Sequence, residues 1–272
     1  MRLILIFSMM ICVSPVVFGQ TMFEGYSKIF AGENHIGYVI QRYSYDKAKK
    51  QFKSIYFIRT NPKVADNTES LVAVADASFK PISYQYTSKT GATIKTIDVT
   101  FGKGQLEATV SDGKKSQKVT RAFSPGETFL STFLGYVILQ KGIKVGKRYS
   151  YKAIAEEDLS VASGSIFLKQ ETTYNGQKAL RVLNNFKGSQ FISFMTPNAE
   201  VLGTHSPAQN IRTELVKDPS QATSNMPMEV NAITTLFGEV PIGKTNPLYP
   251  KLSVTTSKET NSKDKASQGK AQ

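Results

Sequence analysis

The stretch Ser124–Gln140, SPGETFLSTFLGYVILQ, limits the fold more than any other part of the chain. Ser124 followed three residues later by Glu127 has the form of a capping box. Pro125 suits the first helical position, where no hydrogen-bonded N–H is lost. Phe129, Leu130, Phe133, Leu134, Tyr136, Val137, Ile138 and Leu139 then leave the stretch without a polar face. Such a helix is buried, either in a core or in a membrane. Its apolar run of about a dozen residues falls short of the roughly 20 that span a bilayer, so the pattern predicts a core helix at about 124–140. Most of the remaining chain alternates with the period of two that marks strands. The expected fold class is therefore mainly β: a curved antiparallel sheet, half-barrel or clasp, around one buried helix.

Turn signals divide the strands. Asp46–Lys50 (DKAKK) reads as a charged turn between strands at Ile36–Tyr45 and Phe52–Arg59. Gly102-Lys103-Gly104 supplies the positive φ of a tight turn. Asp112-Gly113 and Asn175-Gly176 are type I′ hairpin signals. Gln20–Ala31 reads as a lead-in with a short helix or strand around Tyr26–Phe30. Before the helix this gives about seven strands in a meander. After it come strands at Arg148–Ala155, Ser160–Tyr174 and Lys178–Leu183, and shorter ones at Phe191–Met195, Glu200–Gly203 and Ile211–Val216. Asp218-Pro219 reads as the cap and first residue of another helix. The organisation expected is 1–19 a signal peptide, 20–225 one β-rich domain with two sub-lobes joined at the helix, 226–252 a proline-containing arm, and 253–272 a basic tail. That tail has no aromatic residue and too little apolar surface to order itself.

The first nineteen residues have the parts of a secretory signal: Arg2, an apolar centre from Leu3 to Val17, and Val17-Phe18-Gly19 before Gln20. The localisation expected is periplasmic or secreted after cleavage near Gly19, with no transmembrane span in the mature chain. The alternative, a membrane anchor, has Pro15 and the lack of a following basic cluster against it. Cys12 is the only cysteine and lies in this segment. Loss of the segment would leave no disulfide, thiol nucleophile or cysteine-ligated metal. The net charge of +13 becomes +12 without Arg2, and +10 without the +2 of the tail from Ser253. On an exported protein this excess suits anionic envelope material rather than nucleic acid.

No catalytic constellation stands out. His35 and His205 are too few for a three-histidine metal site. No G-x-S-x-G elbow accompanies Ser193 or Ser206, and Gly102-Lys103-Gly104 lacks the downstream Gly-Lys-Ser/Thr of a phosphate loop. Glu156-Glu157-Asp158 reads as a solvated acidic turn. The chain is thus read as non-enzymatic, with no cofactor and no metal. An envelope hydrolase with carboxylates drawn from separate strands is the enzymatic alternative. Tyrosines two apart, such as Tyr84 and Tyr86, share a strand face and either line a groove or cover a half-exposed sheet.

The phrase Ile29-Phe30-Ala31-Gly32-Glu33-Asn34-His35-Ile36-Gly37-Tyr38 resembles the G-x-x-x-I-G-Y opening of a bacterial exported β-module. That module occurs alone or ahead of transglutaminase-like domains. Val145-Gly146-Lys147-Arg148-Tyr149, Tyr174-Asn175-Gly176-Gln177-Lys178-Ala179 and Phe191–Leu202 extend the resemblance, with Ala199 where glycine is usual. It spans roughly Tyr26–Ala222 and implies a curved sheet enclosing a helix, akin to a lipoprotein-carrier clasp, without the transglutaminase Cys-His-Asp domain. The function expected is the binding of an apolar or amphiphilic ligand, a lipid or acyl chain, in the concave face. Tyr38, Tyr84, Tyr86, Phe129, Phe133 and Tyr136 are the expected ligand-binding residues; for the last three, plain core packing is the competing reading. The alternative function is a structural protein docking its arm and tail onto another envelope protein or an anionic polymer.

Overall fold

The computed structural model describes residues 19–224 and 226–240. The expected signal peptide up to Phe18, residues 241–252 of the arm, and the tail at 253–272 lie outside them. The described chain forms one sheet of 15 strands. The first eight run as a meander: β1 (Gln20–Ala31), β2 (Asn34–Asp46), β3 (Gln51–Thr60), β4 (Asn67–Asp76), β5 (Pro81–Thr90), β6 (Thr93–Phe101), β7 (Gln105–Ser111) and β8 (Ser116–Ala122). The second series is β9 (Thr128–Leu130), β10 (Arg148–Ala155), β11 (Ser160–Tyr174), β12 (Gln177–Phe186), β13 (Ser189–Met195), β14 (Val201–Ser206) and β15 (Ile211–Val216). β1 joins the two by pairing with both β2 and β15. The lead-in is thus a twelve-residue strand at the middle of the sheet. Every pairing is antiparallel except the short parallel one between β9 and β10. The sheet is curved and unclosed, with β8 and β9 as its edges.

The predicted helix at 124–140 is shorter than its sequence pattern. Gly126 sits at φ 83°, outside helical space, and the Ser124 carbonyl accepts from the Glu127 and Thr128 amides in a turn. Thr128–Leu130 pairs with Lys152–Ile154 of β10, and a 3-10 turn over Ser131–Phe133 follows. Only Leu134–Gln140 is α-helix (α1). The capping box fails because the backbone around Phe129 takes ladder hydrogen bonds from a distant strand instead. The apolar reading of the stretch holds: Phe129, Leu130, Phe133, Tyr136, Val137 and Ile138 are all buried. α1 lies between two core clusters. Phe133, Tyr136 and Val137 pack with Leu71, Tyr84, Ile97 and Leu106. Ile138 packs with Tyr151, Ile166, Leu168 and Val182.

Local signals mark most turns. Asn175 and Gly176 take φ 48° and 77° between paired Tyr174 and Gln177, the type I′ geometry that this dipeptide favours. The Asp112-Gly113 turn is longer than expected. Ser111 pairs with Ser116, leaving a four-residue loop in which the Asp112 carboxylate accepts from the Lys114 and Lys115 amides. Ala199, where the resemblance has glycine, is buried at φ 65°, a conformation that costs a residue with a Cβ about 1–2 kcal/mol. Asp218 caps α2 (Pro219–Ala222) by accepting from the Gln221 amide. The first part of the arm is not a loop: Val230–Phe237 is a helix, α3, which ends on Gly238 at φ 78°.

Candidate functional site

Register assigns the side chains of this sheet to two faces. On the concave face, Tyr43 of β2 lies across from Ser54 of β3, Ala73 of β4 and Tyr84 of β5. Five of the six expected ligand-binding residues, Tyr84, Tyr86, Phe129, Phe133 and Tyr136, gather here in one cluster. Tyr43 meets Tyr136 edge-on at 4.9 Å, and Phe133 lies 5.8 Å from Phe79. The five expected residues belong to one packed cluster, each at most 8% exposed. The concave face is filled by the protein's own side chains. Burial drives the Tyr84, Tyr86 and Tyr136 hydroxyls well above the ordinary phenol range.

Tyr38 is on the other face. It packs with Tyr26, Ile40, Phe57 and the α3 residues Ile233 and Phe237. Burial pushes its hydroxyl up to about 12.

The acidic turn is also not uniformly solvated. Glu156 is buried at 4% exposure; its carboxyl accepts from the Ser131 hydroxyl and, at 3.2 Å, from the Thr132 amide. Thr132 in turn meets the Ser54 hydroxyl at 2.7 Å and accepts from the Tyr43 hydroxyl at 2.8 Å. Burial pushes the Glu156 carboxyl up to about 7, against those hydrogen bonds. Glu157 and Asp158 face outward onto Lys187, and Lys95 of β6 donates to the Glu157 carbonyl at 2.7 Å. One loop therefore ties the first strand series to the second and anchors the entry to α1.

The convex face carries α3 as a strap across β1–β3, held by an arginine at each end. Arg59 reaches Glu229 and Asp66 at 3.5 and 2.9 Å. Arg42 pairs with buried Glu24, donates to the Phe237 carbonyl at 3.0 Å and reaches Glu239 at 3.0 Å. Beside the strap lies an open groove of about 750 Å³. Its apolar residues are Ile55, Val72 and Val74 from the sheet with Leu236 and Phe237 from α3; Lys49 and Lys53 bring cations. Partial burial, together with Arg42 and Lys49, lowers the Lys53 pKa. No described residue forms an ion pair with Lys53. A second groove of about 440 Å³ shares Val72 and Val74 and continues over β5–β8. A signal for this face stood in the sequence: Leu71-Val72-Ala73-Val74-Ala75 is apolar at successive positions, so β4 presents apolar side chains on both sides.

Among the described residues no group of three or more His, Cys, Asp or Glu is placed to hold a metal, and no helix is long and apolar enough to cross a membrane. His35 contacts the Gly37 carbonyl at 2.9 Å, and His205 lies in β14 opposite Arg212.

Fold and grooves together define a mainly β protein with a curved, unclosed antiparallel sheet. It is similar to a β-barrel-like protein of a domain of unknown function, DUF1849, from Brucella abortus. The TM-score is 0.53 at 12% identity, over 73% of this chain and 98% of that one. A DUF1089 family protein from Pseudomonas aeruginosa superposes more loosely, with a TM-score of 0.37 at 11% identity over 63% of this chain and 90% of that one. No family model and no curated protein matches the chain. The similarity to the Brucella protein shows the shared fold.

Proposed function

We propose that this chain is an exported, non-enzymatic protein of the cell envelope that holds an amphiphile in the convex groove between α3 and β2–β4. The observation that carries this reading is the make-up of that groove: about 750 Å³, within the roughly 300–1,000 Å³ of ligand sites. It places Ile55, Val72, Val74, Leu236 and Phe237 beside Lys49 and Lys53. An apolar chain would lie along the valines and the strap while an acidic head meets the lysines. The ligand expected inside the clasp is placed on the outside in this reading, because the residues expected there are buried against one another. Export rests on the Arg2, Leu3–Val17, Gly19 pattern. The reading is tested by native mass spectrometry of the protein purified from its own envelope, followed by lipid extraction. A co-purifying lipid or acyl species released on unfolding is the expected result. A bare protein from a gentle preparation would refute it.

A further inference from the structure

The register brings one set of turns to a single end of the sheet. Gln20 pairs with Tyr45, Asp46 with Gln51, Gln51 with Asp76, and Gln105 with Ala122. The start of β1 and the turns 47–50, 77–80 and 102–104 therefore sit side by side. Those turns carry Lys47, Lys49, Lys50, Lys80 and Lys103, all exposed, and none has an ion-pair partner among the described residues.

The carboxylates at this end are already engaged. Asp46 accepts from the Ala48 and Lys49 amides at 2.9 and 3.0 Å. Asp76 accepts from the Ser78 and Lys80 amides at 2.8 and 2.9 Å. Glu239 pairs with Arg42 and Glu127 with Lys152.

Aromatic and apolar side chains reach the same end. Tyr45 lies 4.6 Å from Phe52, and Phe101 meets Phe123 edge-on at 5.4 Å. All four are partly exposed, and Met22, 39% exposed, stands in the bulge between Thr21 and Phe23. The opposite end differs. Its turns, 32–33, 61–66, 91–92 and 112–115, hold Glu33, Asp66 and Asp112 in equal number to Lys63, Lys114 and Lys115, so their formal charges cancel.

We infer that the 47–50, 77–80 and 102–104 end of the sheet is a docking surface for an anionic lipid bilayer. The lysines meet the head groups, while Tyr45, Phe52, Phe101, Phe123 and Met22 stand at the interfacial level that rings and thioethers favour. Charge complementarity selects this partner: the described turns at this end carry five lysines and no acid, whereas those at the other end balance three lysines with three acids, and an acidic lipid surface attracts the end with the excess. The convex groove opens at this same end, since Gly19, Asp46, Lys49 and Gln51 line it. Docking would therefore present the groove to the bilayer from which an amphiphile is drawn. Lys49 belongs to both the docking surface and the groove, but Lys47, Lys50, Lys80 and Lys103 do not line the groove, so the two are separately testable.

The test is flotation of the chain from Gln20 onwards, which keeps every strand of the sheet, with two kinds of vesicle. One kind is phosphatidylcholine alone and the other contains about one-third phosphatidylglycerol. Binding to the acidic vesicles only is expected. A Lys47→Gln/Lys50→Gln/Lys80→Gln variant, which leaves the groove lining untouched, should bind on the order of 100-fold more weakly, about fivefold per lysine. A Lys63→Gln/Lys114→Gln/Lys115→Gln variant at the other end should bind within a factor of about two of the parent. Equal loss in both variants would reduce the effect to net charge and overturn a docking surface at this end. Loss in neither, equal binding to neutral vesicles, or no binding by the parent would overturn the inference. Amphiphile retention by the first variant in native mass spectrometry reports on the groove alone, so failure of one reading is not failure of the other.

Discussion

The two faces of this sheet use similar side chains for opposite ends. The concave face takes tyrosines and phenylalanines and closes them with the segment Phe129–Leu139 of the same chain. The convex face takes Ile55, Val72 and Val74 and covers part of them with a two-turn strap, leaving an open groove beside it. Burial on the inside is so complete that the Tyr84 and Thr128 hydroxyls find no partner, a cost that only a well-packed core offsets. On the outside Arg42 and Arg59 each bind an acid and fasten one end of α3. The difference teaches that aromatic density in a curved sheet marks its core. A binding surface is better sought where apolar side chains lie beside unpaired cations.

The contrast breaks most readily at Phe133, which is 1% exposed beside Tyr43 and Phe79. Phe133→Ala should cost about 3–5 kcal/mol in urea unfolding, the range for a buried phenylalanine cut to alanine. Stability within about 1 kcal/mol of the parent, joined to loss of a bound amphiphile, would make the concave face the site instead.

Next in size is the strap. Arg42→Ala leaves Glu24 buried and unpaired and frees the Phe237 carbonyl. It should cost about 3 kcal/mol, and hydrogen exchange should show α3 amides losing protection before those of β3. Simultaneous loss across the sheet would mean that α3 is part of the cooperative core.

Smaller is the pH response of Glu156. Its folded pKa of about 7 lies above the ordinary 4.5, so between these values the native state keeps a proton that the unfolded chain has lost. The stabilisation is fully present below about pH 4.5 and fades as pH rises to about 7, on the order of 3 kcal/mol. Asp158 does not share this window. Burial works upward on it, but the Lys187 ammonium and the Ser160 hydrogen bonds bring it down to about 2. Glu156→Gln should flatten the dependence in unfolding curves taken across that window. A slope that survives the substitution would locate the titrating group elsewhere.

Much of the fold was legible because its signals are local. The hairpin at Asn175-Gly176, the cap at Asp218 and the alternation of the long strands all depend on neighbours in sequence. What escaped depends on distant partners. Thr128–Leu130 looks helical until β10 offers a ladder, and Glu156 looks solvated until Ser131 and Thr132, some 25 residues away, fold over it. Tyr38 and Tyr84 carry the same alternating signal, yet their faces differ because register across the intervening strands, not period, decides which way each one points. The strap was legible only as an apolar patch, since its anchors Arg42 and Arg59 sit far earlier in the chain, in β2 and β3.

The most direct measurement is native mass spectrometry of the protein and its Val74→Asp variant, purified side by side from the same envelope. Val74 lines both convex grooves and pairs in register with Lys53, so an aspartate there would spoil the apolar floor and neutralise the lysine. The account predicts an amphiphile on the parent, none on the variant, and matching thermal midpoints for the two. An amphiphile retained by Val74→Asp at parental occupancy would contradict it.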